Sequence, residues 1–227
     1  MATFLHAGDI GDMIYALVPI QALAGGILYL DLTHHKAPIC RTTERTYHML
    51  YDLIKYQPYI EDFRIWNGEH IDYYMDQWRN DPDILNHNIA DAHLRVFNLP
   101  YSFRDAAWLT VPETITVPDK PYIIARSARH RVTSAPYLPY CKDGVFVGLD
   151  SEYQDFVRDV APVERFDLRN SFMRFAQLIA GSELFIGNQS SGFALAEGLK
   201  VNVLQETHWG VPNCIFRRPN ARYWPHV

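Results

Sequence analysis

The opening of the chain constrains its fold more than any other stretch. Residues 2–7, ATFLHA, form a short apolar run that gives way to Gly8-Asp9-Ile10-Gly11-Asp12. In residues 12–23 that follow, Met13, Ile14, Leu17, Ile20 and Leu23 recur at helical spacing. Gly25-Gly26 ends that segment and Ile27-Leu28-Tyr29-Leu30 reads as a second buried strand. A strand, a helix and a strand in so short a span make a β-α-β unit, whose second strand lies parallel to its first. Pro19 interrupts the helical pattern, so the helix is expected to kink or to begin late.

The same alternation continues. Residues 43–56 read as a helix and residues 63–66 as a strand, while residues 68–99 are polar and aromatic and are expected to hold helices. Residues 111–121 contain three prolines without helical period, and read as an extended linker. Beyond them the pattern restarts. Residues 122–125, 144–149, 184–186 and 201–204 read as strands; residues 152–160, 171–180 and 193–199 read as helices. The expectation is an α/β protein of two Rossmann-like domains facing a cleft. Residues 1–110 form the first domain, 111–121 the linker and 122–227 the second. A chain of 227 residues with 48% hydrophobic content can bury such cores, and 14% aromatic residues speak against disorder.

Charge and cysteine content narrow the functional classes. A net charge of −5 argues against a sequence-independent nucleic-acid binder. Cys40, Cys141 and Cys214 are odd in number and form no C-x-x-C pair, which suits a reducing compartment. No basic region followed by an apolar stretch opens the chain, and residues 13–24 are too short to cross a bilayer. A soluble, cytoplasmic protein without a membrane span is expected.

Three constellations carry chemistry. Gly8, Asp9, Gly11 and Asp12 lie between a strand and a helix, where small residues let a ligand approach the backbone. The loop lacks G-x-G-x-x-G, and its two acids would repel a phosphate, so it suits a base or an acceptor contact better than a phosphate site. From this loop alone, a helix cap is the stronger reading of Asp12. The second constellation, Gly187-Asn188-Gln189-Ser190-Ser191-Gly192, joins a strand to a helix start and offers an anion site in its free amides and hydroxyls. The third, Arg126-Ser127-Ala128-Arg129-His130-Arg131, follows the first strand of the second half. Its three guanidinium groups suit a diphosphate.

The run Gly11-Asp12-Met13-Ile14-Tyr15-Ala16-Leu17-Val18-Pro19 resembles the Gly-Asp-x-x-x-x-Leu-Pro opening of glycosyltransferase family nine, the heptosyltransferase-like enzymes. Asp167-Leu168, Ala176-Gln177-Leu178-Ile179, Phe185-Ile186-Gly187-Asn188, Ala196, Leu199, Val201 and Val203 are similar to that family's nucleotide-binding half. The resemblance covers about the first thirty residues and most of the chain after Tyr122. It implies a GT-B fold and an inverting, metal-independent transfer from a nucleoside-diphosphate sugar, which acts as co-substrate with no other cofactor. It further implies Asp12 as general base, Arg131 or Arg129 on the donor phosphates, and Ser190, Ser191 and Gly192 holding the diphosphate.

Two other readings stand beside this one. Where the family reads Gly-Asn-Asp-Ser-Gly with a histidine further on, this chain has Gln189, Ser191 and Ala194, which admits a non-catalytic nucleotide-sugar-binding protein. The tail Arg217-Arg218-Pro219-Asn220-Ala221-Arg222-Tyr223-Trp224 mixes arginines with stacking aromatics. It would suit a modified base in nucleic acid as acceptor in place of a saccharide, unless the segment packs back across the two halves. Asp81-Pro82-Asp83 has the spacing of a metal-binding Asp-x-Asp but no strand leading into it, and adjacent His34 and His35 point apart. No metal is assigned.

Overall fold

The computed structural model describes residues 1–33, 42–84 and 87–225. The first sheet contains β1 (Ala2–His6), β2 (Gly26–Leu30), β3 (Ile60–Ile65) and β4 (Tyr73–Tyr74) in the order β3-β2-β1-β4, with every pairing parallel. The second contains β5 (Tyr122–Ala125), β6 (Gly144–Phe146), β7 (Glu164–Arg165), β8 (Leu184–Asn188), β9 (Val203–Glu206) and β10 (Ala221–Trp224). Their order is β10-β9-β8-β5-β6-β7, again all parallel. Counted from its own first strand, the second sheet has the 3-2-1-4-5-6 order of a Rossmann sheet, and the first sheet repeats the 3-2-1-4 part. The order reverses between β1 and β4 and between β5 and β8. Crevices for ligands open outside the carboxyl ends of strands at such reversals.

Among the described residues six α-helices cover the sheets: α1 (Ile10–Ala22), α2 (Glu44–Tyr56), α3 (Ile89–Val96), α4 (Asp150–Asp159), α5 (Phe172–Ala180) and α6 (Ser191–Gly198). Thr43, Asn88 and Ser171 cap α2, α3 and α5 by accepting a backbone N–H three residues on. Helix α1 departs from expectation. It begins two residues earlier than the apolar spacing predicts and runs through Pro19. A proline inside a helix costs about 3 kcal/mol, and here every residue from Met13 to Ile20 is buried. Apolar burial at 0.025 kcal/mol per Å² outweighs that cost over eight such positions, on the order of 1.5–3 kcal/mol for each large side chain.

That all-round burial has a structural cause, because α1 packs on α6 of the second half. One apolar core runs from Phe4 and α1 through Trp108 to Phe175, Phe185 and α6. Trp108 Nε1 donates to Ile14 O at 3.1 Å, the Trp108 and Leu109 amides donate to Gly198 O at 3.0 and 3.1 Å, and Tyr15 stacks on Phe216 at 5.5 Å. Residues 111–121 carry no helix or strand, and Ile115 N–H donates to Gln177 O of α5 at 3.0 Å. The tail folds as edge strand β10, an element its composition did not announce. Among the described residues no helix is long and apolar enough to cross a membrane.

Candidate active site

The acidic loop leaves β1 at the reversal of the first sheet. Asp9, not Asp12, occupies the N-cap of α1, and it makes no side-chain capping bond. Asp12 therefore stands in the first helical turn with no capping role, and its carboxylate is held by Arg79. Arg79 belongs to a 3-10 helix (Met75–Asn80) that directly follows β4, the strand across the reversal from β1. Its guanidinium lies 4.5 Å over the Trp78 ring, and its Nε sits 3.5 Å from Asp76 Oδ1. Asp76 in turn accepts the Ala7 N–H and lies 3.8 Å from Nδ1 of the fully buried His6.

The first glycine of the loop is explained by this cluster. A Cβ on Gly8 would sit 2.8 Å from Arg79 Nη2 and 2.9 Å from Asp76 Oδ1, so a larger residue would push the tips of that pair aside. Burial raises the Asp12 carboxyl above the ordinary aspartate range. Arg79 and then His6 pull it back, and Asp9 adds to the rise. The sequence reading missed Arg79, Asp76 and His6. The only signal was their residue types at strand ends, because nothing in the order of residues ties position 79 to position 12.

The second half brings its own loops to the reversal between β5 and β8. Asn188, fully buried, accepts Ser127 N–H at 2.9 Å and donates to Ser127 O at 3.0 Å, latching the loop after β5. Gln189 accepts His208 N–H at 3.0 Å and donates to Val211 O, latching the loop after β9. The anion-site expectation includes both residues, and in the structure their side chains latch the loops around that site. Ser190 is the N-cap of α6 but makes no side-chain capping bond, its hydroxyl donating to Asn188 O at 3.2 Å. The first amides of α6 are thus left without a capping side chain. The start of α6 lies beside the acidic loop: a Cβ on Gly11 would lie 3.8 Å from both the Cα and the N of Ser191. Gly192 has a different reason to be glycine, since a Cβ there would meet Phe175 Cζ at 2.8 Å and Phe185 Cζ at 3.1 Å. It serves core packing.

The arginines divide. Arg126 was read as a phosphate contact, but it is buried in a two-pronged pair with Glu206, Nε–Oε2 2.7 Å and Nη2–Oε1 2.8 Å. Arg131 is likewise committed elsewhere, donating to Ser127 O at 2.9 Å and to Asp155 of α4 at 3.0 Å. A strand end fixes where the backbone leaves the sheet, and the neighbouring acids fix where the guanidinium goes. Arg129 remains at the junction, half-exposed, with Nη1 3.4 Å from Asp9 Oδ2 of the first half. His130 and His208 approach each other beside it, ring centroids 5.8 Å apart.

Asp81 accepts Asp83 N–H at 2.9 Å, and the two carboxylates share Arg95 at 3.4 and 2.7 Å. His34 and His35, like Cys40, lie outside the described residues. Among the described residues no group of three or more His, Cys, Asp or Glu is placed to hold a metal ion.

No protein-family model matches the chain, and no curated protein sequence matches it. Solved structures do. The iron-containing dodecameric glycosyltransferase TibC from enterotoxigenic E. coli H10407 is 16% identical over the whole of this chain with a TM-score of 0.65. A second TibC structure, the heptosyltransferase in complex with ADP-D-beta-D-heptose, aligns over 97% of the chain with a TM-score of 0.60. This chain spans 62% of the length of either. The glycosyl transferase family 9 protein of Veillonella parvula DSM 2008 is 10% identical, with a TM-score of 0.57 over 98% of this chain and 85% of its own. At such identities the likeness is one of fold, and the fold of this chain is the GT-B-type, two-sheet architecture seen in glycosyltransferase family 9.

Proposed function

We propose that this chain transfers a sugar from a nucleoside-diphosphate sugar to an acceptor hydroxyl, with inversion and without a metal ion. The observation that carries this reading is the meeting of two chemically opposite loops. Asp12 stands in the first turn of α1 and the uncapped start of α6 lies across from Gly11, with Ser191 N within van der Waals reach. Inverting transfer needs a base on the acceptor and charge stabilisation on the leaving group. The acceptor oxygen attacks the anomeric carbon and gives its proton to Asp12. The bond from that carbon to the diphosphate oxygen breaks, and the departing diphosphate takes the electron pair. The Ser191 and Gly192 amides at the positive end of α6, with Arg129 beside them, take up that charge. Residues 1–110 would thus serve the acceptor and residues 122–227 the donor.

An adenine nucleotide is the first donor to test, because a protein of the same fold was solved with ADP-D-beta-D-heptose. Arg217 and Arg222 of the tail are exposed, and against the modified-base reading stand two contacts: Arg218 pairs with Glu197 at 2.8 Å, and the Tyr223 hydroxyl accepts the Phe216 and Arg217 amides at 3.0 Å. These groups tie β10 into the fold.

The test is thermal stability with ADP, UDP and GDP for wild type, Asp12→Asn and Ser191→Asp. At a hundredfold excess over its dissociation constant the right nucleotide stabilises by about 2.7 kcal/mol. Ser191→Asp, which sets a carboxylate at the amide cluster, is expected to abolish that gain. Asp12→Asn should keep it while losing on the order of 10²–10⁴ in nucleotide release from the sugar donor. An Asp12→Asn protein with undiminished turnover, or a wild type indifferent to every diphosphate, defeats the proposal.

A further inference from the structure

Outside the carboxyl ends of the first sheet lies an open pocket of about 490 Å³. Asp31 at the end of β2, Trp66 after β3, Tyr74 at the end of β4, and Gln77, Arg79 and Asn80 of the following 3-10 helix line it. Its size is that of a small-molecule site, and its place is the reversal between β1 and β4. It shares a wall with the proposed base, since Arg79 lines the pocket and holds the Asp12 carboxylate.

We infer that this pocket takes an uncharged saccharide, one of whose hydroxyls is the group that Asp12 deprotonates; the inference rests on the transfer reading above. Three features of the lining point that way. Trp66 and Tyr74 supply flat apolar faces of the kind that pack against the C–H face of a sugar ring. Trp66 is fixed by its Nε1 donating to Glu69 O at 2.9 Å, and Tyr74 stands half-exposed at the mouth. Gln77 and Asn80 present exposed carboxamides, each with donors and an acceptor to match hydroxyls that both give and receive hydrogen bonds.

Charge is the third feature, and it decides between classes. The lining carries the Asp31 and Asp76 carboxylates against one guanidinium, and that guanidinium is already paired with Asp76 and with Asp12 behind it. Among the described residues of the lining, a phosphorylated or carboxylated acceptor, or a nucleic-acid backbone, would find no cation that is not already paired with a carboxylate. Neutral hydroxyls meet no such penalty, and the exposed Gln77 and Asn80 carboxamides can pair with them.

The experiment is a glycan array of neutral, sialylated, uronate-bearing and phosphorylated oligosaccharides. It is probed with the full-length wild type, Tyr74→Ala and Gln77→Ala, each checked for an ADP-induced thermal shift. Both substituted side chains are exposed, so the fold is expected to tolerate them. Retention on neutral glycans, at least tenfold weaker in Tyr74→Ala and weaker in Gln77→Ala, is the expected result. Binding only to acidic glycans, binding that neither substitution touches, or no retention while ADP still stabilises the protein would each overturn the inference and leave the donor site standing. Neutral-glycan binding without any nucleotide response would keep the pocket and remove the transfer reading.

Discussion

Asp12 occupies a place where a carboxylate is costly, and Arg79 is the main group that offsets the cost. A general base works only when deprotonated, so burial alone shifts the ionisation of Asp12 to higher pH, while the guanidinium draws it back down. Removing Arg79 therefore has a definite sign. In Arg79→Gln the acidic limb of nucleotide release from the sugar donor is expected to move to higher pH, because the loss of a positive neighbour makes the proton harder to remove. A limb left in place, with only the plateau lowered, would show that Arg79 does not control Asp12 ionisation. The place of Asp12 between a strand and a helix was legible from the Gly-Asp context, while its reading as a base rests on the family resemblance. Arg79 was not, because the pair closes over 67 positions of sequence and only the β1–β4 pairing brings them together. Arg131 shows the converse: its position beside a strand end was legible, but the pull of Asp155 and Asp159 on α4 was not.

Among the elements, the end of β9 does more than close a sheet. The buried Glu206 receives Arg126 through two nitrogens, the Val132 amide, the Thr133 amide at 2.7 Å and the Tyr137 hydroxyl at 2.8 Å, and so staples the whole loop after β5 to the sheet edge. Burial by itself would raise the Glu206 carboxyl, but Arg126 and the two amides together hold it below the usual glutamate range. A depressed carboxyl contributes stability that is present above its unfolded value, about 4.3, and is lost as pH falls through the lower folded value. Glu206→Gln leaves Arg126 buried and without its counter-charge, which is expected to destabilise the fold by about 3–5 kcal/mol at pH 7. Urea denaturation at pH 7 and again below pH 4 checks both claims: the variant should be weaker at neutral pH, and the gap to wild type should narrow in acid. Apart from the edge strands β7 and β10, the strands and turns of this half were legible because apolar runs end in Gly, Ser and Asn. The direction of each polar side chain was not, since Arg126 and Asn188 look the same in sequence whether they face a ligand or a neighbouring loop.

At the scale of the whole molecule, the two sheets are joined through α1 and α6, and Trp108 is the residue that registers this most directly. It is 1% exposed, donates its indole N–H to Ile14 of α1, gives its backbone N–H to Gly198 of α6 and lies under Lys200 Nζ at 4.4 Å. The signal for this union was present in residues 13–20, apolar at nearly every position; a helix of that kind is buried on all sides, although its spacing also fits a single apolar face. Because the core is continuous, the halves should not melt separately. Trp108→Ala removes a large buried ring at their junction and is expected to cost about 3–5 kcal/mol. Chemical denaturation followed by far-ultraviolet circular dichroism and by tryptophan fluorescence should give coincident single transitions in wild type, with the Trp108→Ala midpoint moved to lower denaturant. Two resolved transitions in the wild type would mean that each sheet carries its own stability and that the α1–α6 contact merely aligns them. In that case Trp108→Ala should leave both midpoints nearly unchanged and act instead on nucleotide release, by loosening the alignment of Asp12 with the start of α6.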